Sequence, residues 1–320
     1  MPARFAARHT AAMRIGINGS SHIALASPLE SIAEHSAKAE QDGLGSYWLA
    51  QLTWPDSLTA IAAIASRTSH IRFGTAVVPT WPRHPLMLAA QALTTSHATG
   101  GRVTLGIGLA HESMVEQTFG VPFDRPARHM AEYLDVLLPA MDDHVVDSTG
   151  DIWSAHSDGF GVATDTPTPR VVLAAMGPRM LDLAGSRTDG TILWLSGPRT
   201  IETRIRPALD AAAERAGRGR PEVIASVPIC VTSDRPKVHA MVAETLSNYN
   251  DLPSYRRVMD TEGAEGPADV SLIGSEAEVR AGLQAFADAG TTEFSALEFT
   301  TNDDEAAATR ALLMEFNSPG

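Results

Sequence analysis

The chain has 320 residues, 44% of them hydrophobic and 20% charged, with a formal net charge of −13. A chain this long accommodates a (β/α)₈ barrel, which needs ~250 residues and tolerates insertions. The acidic balance argues against a nucleic-acid or anionic-membrane partner, since both demand a basic face; no apolar run approaches the ~20 residues of a membrane span, and the lone Cys230 excludes an intrachain disulfide.

Residues 1–12 carry Arg4, Arg8 and His9 and lack the apolar stretch of a secretory signal. They read as a flexible tail on a cytoplasmic protein, with residues 13–320 forming one domain. Eight strands are expected at about 13–18, 46–50, 71–78, 103–108, 170–175, 190–195, 223–231 and 293–299, with helices between them. The repeated joint that suggests this is a helical stretch ending in glycine, followed at once by a β-rich run. Ala98-Thr99-Gly100-Gly101 before Val103-Thr104-Leu105 is one case, and Ala287-Asp288-Ala289-Gly290 before Phe294 is another. Glycine just past a helix takes the left-handed conformation that other residues resist.

The clearest helix lies near 124–141, with Met130, Tyr133, Leu134, Leu137, Leu138 and Met141 on one face. Pro85 and Pro178 each stand where a first helical residue belongs. Another helix starts at Ser275, with Glu278 completing a capping box and Val279, Leu283, Phe286 and Ala287 as its apolar face. Two segments break the repeat: 144–168, before the fifth strand, and 250–272, after the seventh. The fold class is therefore α/β, a (β/α)₈ TIM barrel with two insertions. A doubly wound open sheet is the alternative.

No Gly-x-Gly-x-x-Gly follows the first strand, and no Walker loop, His-Glu-x-x-His or Gly-x-Ser-x-Gly occurs. The 11 histidines are scattered, so no metal site is expected. Function must then be read from the strand ends, because barrel sites sit at the C-terminal face. Strand one ends at Asn18, strand two at Gln51, and strand three at Ala76-Val77-Val78-Pro79. Strand four ends at Gly106-Ile107-Gly108-Leu109-Ala110-His111, and strand five at Met176-Gly177-Pro178-Arg179. Small-residue turns of the last two kinds leave backbone N–H groups free for a phosphate; the same residues also serve simply to close tight turns.

The stretch Ile71-Arg72-Phe73-Gly74-Thr75-Ala76-Val77-Val78-Pro79, then Arg83-His84-Pro85, Gly100-Gly101-Arg102 and Leu105-Gly106-Ile107-Gly108, resembles the bacterial-luciferase-like superfamily. So do Gly177-Pro178-Arg179, Ala184-Gly185 and Thr188-Asp189-Gly190. Within it the chain looks closest to enzymes using the deazaflavin coenzyme F420, of the methylenetetrahydromethanopterin reductase kind. The resemblance implies a cofactor ring against Ala76-Val77, with a cis peptide bond between those two residues. It implies a phosphate at Met176, Gly177, Pro178, Arg179 and Met180, and the strand-four loop through Gly106, Gly108, Leu109, Ala110 and His111 lining the same site. Asn18 and Gln51 complete the cofactor set. Many such relatives carry an acidic residue and a histidine after strand two, where this chain has Gln51 and Leu52. This casts doubt on a sugar-phosphate substrate.

His111 then becomes the best proton donor, because an imidazole titrates near neutrality; Gln51 is the other catalytic candidate. Trp54, Trp81 and Trp194 are candidates for a substrate wall or for ordinary packing. The expected function is hydride transfer between coenzyme F420 and a small organic substrate. The alternatives are an FMN-dependent monooxygenase or reductase, and a non-catalytic flavin-binding protein. The small-residue helices at 59–65 and 86–90 suggest a homodimer.

Overall fold

The computed structural model describes residues 13–159, 161–163 and 165–317; the expected tail at 1–12 lies outside these. Thirteen strands occur among them, in chain order β1 (Arg14–Asn18), β2 (Ser46–Leu49), β3 (Arg72–Thr75), β4 (Val78–Pro79), β5 (Val103–Gly108), β6 (Val146–Thr149), β7 (Ser154–Ser157), β8 (Arg170–Leu173), β9 (Gly190–Trp194), β10 (Glu222–Ser226), β11 (Pro228–Val231), β12 (Leu272–Gly274) and β13 (Glu293–Glu298). Eight of them close a parallel barrel in the order β1-β2-β3-β5-β8-β9-β10-β13, and β13 pairs back onto β1 with Ile15 opposite Phe294. The barrel expectation is borne out, and the open sheet is not.

The helices are α1 (Ser20–Ala24), α2 (Leu29–Gln41), α3 (Ser57–Ile64), α4 (Pro85–Thr99), α5 (Glu112–Gln117), α6 (Pro126–Asp142), α7 (Pro178–Arg187), α8 (Pro198–Thr200), α9 (Arg206–Arg215), α10 (Arg235–Thr245), α11 (Pro253–Glu262), α12 (Glu276–Asp288) and α13 (Asp303–Asn317). Their starts follow local chemistry. Asp56 and Asp234 cap α3 and α10, and proline opens α4 and α7 as expected. Ser275 and Glu278 form the expected capping box on α12. Gly100 closes α4 at φ 63°, which a side chain would resist.

Three details differ from the sequence reading. The third expected strand is two short strands, β3 and β4, separated by Ala76-Val77. The seventh is likewise broken at Val227; its second half, β11, leaves the barrel circuit to pair with β13 and with β12 at the end of the second insertion. The first insertion is not aperiodic loop throughout, since β6 and β7 form an antiparallel hairpin with Asp147 opposite His156. The second holds α11 and a 3₁₀ turn at Pro267–Val270.

Side chains alternate across each strand. The outward set, including Ile15, Tyr47, Phe73, Leu105, Leu173 and Phe294, packs under the helices in the main core. The inward set stacks in layers, as barrel interiors do. The floor is ionic. Buried Glu293 accepts from Ser46 Oγ at 2.6 Å, Trp48 Nε1 at 2.7 Å, Arg72 Nη2 at 2.8 Å and Arg14 Nε at 3.2 Å. Above it Trp48 packs with Val172, Ile192 and Ile224. One indole fits on the axis because Gly74 presents no side chain; a Cβ there would collide with the Trp48 ring. The mouth begins over this layer.

Candidate active site

The bond between Ala76 and Val77 is cis, as the resemblance implied. Both residues are partly exposed and rest on the Trp48 layer. Gly106 and Gly108 face this bulge from β5. A side chain at Gly106 would strike the Thr75 carbonyl, and one at Gly108 would come within 2.7 Å of Val77 Cγ2. Thr75 Oγ1 also donates to the Gly106 carbonyl at 2.8 Å and accepts from its N–H at 2.9 Å. These two glycines therefore let β5 approach the bulge closely. Leu109, Ala110 and His111 follow, all partly exposed. Ala110 is left-handed at φ 57°, a conformation that costs roughly 1–2 kcal/mol outside glycine.

Asn18 and Gln51 are buried, and their polar atoms are engaged. Asn18 donates to Ser226 Oγ at 3.0 Å and accepts from the Ser20 N–H at 3.0 Å. Gln51 accepts from the Ser57 N–H at 2.7 Å and from Ser57 Oγ at 3.1 Å, and donates to the Leu52 carbonyl at 3.2 Å. Gln51 thus ties the strand-two loop to the start of α3. Its carboxamide is therefore held in place by the backbone and side chain of that loop.

Gly177 is the N-cap of α7 at φ −87°, a backbone any residue adopts. A Cβ there would meet nothing within 4 Å, so open space lies in front of it. The first N–H groups of α7 lack helical acceptors and carry the positive end of the helix dipole. Gly177 and Pro178 share a recess with Thr200, Arg204, Ser254 and Arg257. Thr200 Oγ1 is buried without a hydrogen-bond partner, while its backbone N–H donates to Glu262 at 2.6 Å. Arg204 bonds Thr261 Oγ1 at 3.2 Å. Among the described residues, Arg179, Arg204 and Arg257 have no carboxylate partner, in a chain that carries 38 acidic residues. A buried partnerless hydroxyl, free helix N–H groups and the guanidiniums of Arg204 and Arg257 in one recess fit an anion, while Arg179 is exposed on the first turn of α7. Met176 receives a weak bond from Ser196 at 3.7 Å, and Met180 packs against the main core.

His111 stands at the N-cap of α5, its ring edge-on to Tyr249 and Tyr255, each 5.8 Å away between centroids. Burial pushes its imidazole below the ordinary histidine range, so it is neutral at pH 7. Trp194, at the end of β9, contacts Tyr249 at 6.3 Å. Trp81 is buried and stacked on His129 at 3.7 Å, with its indole N–H unpartnered. Sequence reading missed Thr200, Arg204, Tyr249 and Arg257, which reach the mouth from segments without a recognisable spacing.

The family model described as luciferase-like monooxygenase matches residues 9–297. The chain belongs to that family. Similar proteins from its wider membership include 5,10-methylenetetrahydromethanopterin reductase from Methanolobus tindarius, 24% identical over 78% of this chain and 76% of that one. F420-dependent glucose-6-phosphate dehydrogenase from Kineococcus radiotolerans is 26% identical over 82% of this chain and 85% of that one. Among solved structures, the coenzyme F420-dependent tetrahydromethanopterin reductase from Methanopyrus kandleri superposes with a TM-score of 0.78 at 20% identity, covering 94% and 98% of the two chains. The FMN complex of a type II Baeyer-Villiger monooxygenase from Pseudomonas putida gives 0.75 at 17% identity, over 95% and 96%. The chain is thus similar in sequence to an F420-dependent dehydrogenase, and it shares its fold with an F420-dependent reductase and an FMN-bound monooxygenase. Among the described residues, no helix is long and apolar enough to cross a membrane.

Proposed function

We propose that this luciferase-like protein binds a deazaflavin coenzyme of the F420 type at the barrel mouth and exchanges a hydride between it and a small organic substrate. The observation that carries this reading is the recess at Gly177, with its free helix N–H groups, the partnerless Thr200 hydroxyl and Arg204 and Arg257, which have no carboxylate partner; Arg179, exposed on the first turn of α7, adds positive charge outside it. One phosphate monoester, as in FMN, does not need this much positive charge. The F420 side chain continues past its phosphate into carboxylates, and matches that excess of positive charge.

When bound, a deazaflavin supplies hydride chemistry without the oxygen reactivity of a flavin. The chain's own residues do the rest. Ala76, Val77 and the glycines behind them offer a flat apolar support, and α7 with its arginines holds an anionic tail. His111 is neutral and partly exposed at the mouth. It can take the hydroxyl proton that an alcohol gives up as its hydride leaves, and return it in the reverse direction. Separate titrations with F420 and FMN, followed by fluorescence, test the reading. Tighter F420 binding is expected. Tighter FMN binding with rapid oxygen consumption would replace it with a monooxygenase.

A further inference from the structure

His111 is held without a hydrogen bond. Neither of its imidazole nitrogens has a hydrogen-bond partner among the described residues, and its position rests on the edges of two tyrosine rings. Both tyrosines come from the segment after the seventh barrel strand, far from His111 in sequence. They differ in how they are fixed. Tyr255 is buried in a satellite core with Leu195, Cys230 and Met259, so its place is set by packing. Tyr249 is only partly buried. It touches Tyr255 at 4.8 Å, and its ring lies edge-on to that of Trp194 at 6.3 Å. Trp194 ends a barrel strand, so this contact leans Tyr249 on the rigid part of the fold.

We propose that Tyr249 is the positioning residue for His111, fixing where the imidazole sits and how much water reaches it. The inference rests on reading His111 as the group that exchanges a proton at the mouth. The geometry makes it specific. Tyr249 joins three elements, the end of β9, the strand-four loop and the second insertion, in one aromatic contact. Removing Tyr255 would open the satellite core, whereas Tyr249 packs on that core from its partly exposed margin, so its removal uncovers His111 and trims only that margin. The rings facing His111 are Tyr249 and Tyr255. No charged group shifts its imidazole; burial alone does. Water admitted by loss of Tyr249 would therefore act on His111 directly.

The test is the titration of His111 by ¹H–¹⁵N NMR in the full chain without cofactor, with the signal assigned by its loss in His111→Gln. Wild type is expected to titrate below the ordinary value of about 6.5. Tyr249→Ala should move the midpoint back toward that value with little change in melting temperature. Tyr249→Phe, which keeps the ring that covers His111, should titrate close to wild type. A His111 midpoint unmoved in Tyr249→Ala, or moved as far in Tyr249→Phe, overturns the inference. F420 binding is measured separately on the same samples. Its failure in wild type would remove the cofactor reading, while the titration would still decide the role of Tyr249.

Discussion

Replacing Glu293 by alanine should be the most destabilising single change on the barrel floor. The carboxylate is 1% exposed and receives four donors. Its cationic partners, Arg14 and Arg72, keep 39% and 37% of their side-chain surface in solvent and can turn outward to water. Ser46 and Trp48 cannot, because both are buried. Truncating one member of a buried, hydrogen-bonded charge set costs about 3–5 kcal/mol. With an unfolding entropy of roughly 2.1 cal/mol/K per residue over about 300 residues, that loss lowers the melting temperature by about 5–8 °C. Glu293→Gln keeps the volume and one acceptor for the Trp48 N–H, and should lose about half as much. Melting followed by circular dichroism and calorimetry measures both variants. An alanine variant melting within about 2 °C of wild type would show that the floor contributes no net stability and refute the argument.

Gly177→Val should fold normally, since a Cβ at that position meets no protein atom, yet weaken F420 binding at least tenfold; unchanged binding would make the turn a mere connection. His111→Ala should lower turnover by about 10²–10⁴ with little effect on cofactor affinity, as loss of a general acid–base group does. Burial lowers the His129 imidazole to about 4, below its unfolded value, so the unfolded chain binds the extra proton between these limits. Stability should therefore fall as pH drops from about 6.5 toward 4, by up to about 1.4 kcal/mol per pH unit, and His129→Asn should flatten that slope in denaturant titrations. Light scattering should report a homodimer, with Met87→Glu on the exposed face of α4 shifting it toward monomer; a monomeric wild type would end that expectation.

The barrel was legible because its signals are local. A glycine after a helix, a proline at a helix start and the Ser275–Glu278 box each act within four residues, and each appears where the sequence put it. The breaks at Ala76-Val77 and Val227 were not legible from periodicity, because both interrupt runs that remain apolar throughout. The first was legible through family resemblance, which the cis bond matches. Gly106 and Gly108 read as a phosphate turn in sequence. In space they are the close-approach surface of the bulge, a distinction that depends on Thr75 and Val77 some 30 residues away. Gln51 illustrates the opposite limit. Its strand-end position suggested chemistry, but Ser57, six residues on, takes its carbonyl oxygen. Tyr249 and Arg257 sit at the edge of and within the second insertion, whose only sequence mark was that it interrupts the repeat, while Thr200 and Arg204 lie on the ordinary helical stretch that follows β9.

Trp48 makes the barrel an optical instrument. Its indole is dry, its N–H is fixed on Glu293, and it lies one layer beneath Ala76 and Val77. Emission from such a site is blue-shifted and narrow, unlike that of Trp54, which stands 55% exposed on the strand-two loop. A chromophore resting on Ala76 and Val77 that absorbs in the near ultraviolet or violet would quench Trp48 by energy transfer. Loss of the blue, narrow component of the tryptophan emission would therefore report a ligand seated over the Trp48 layer.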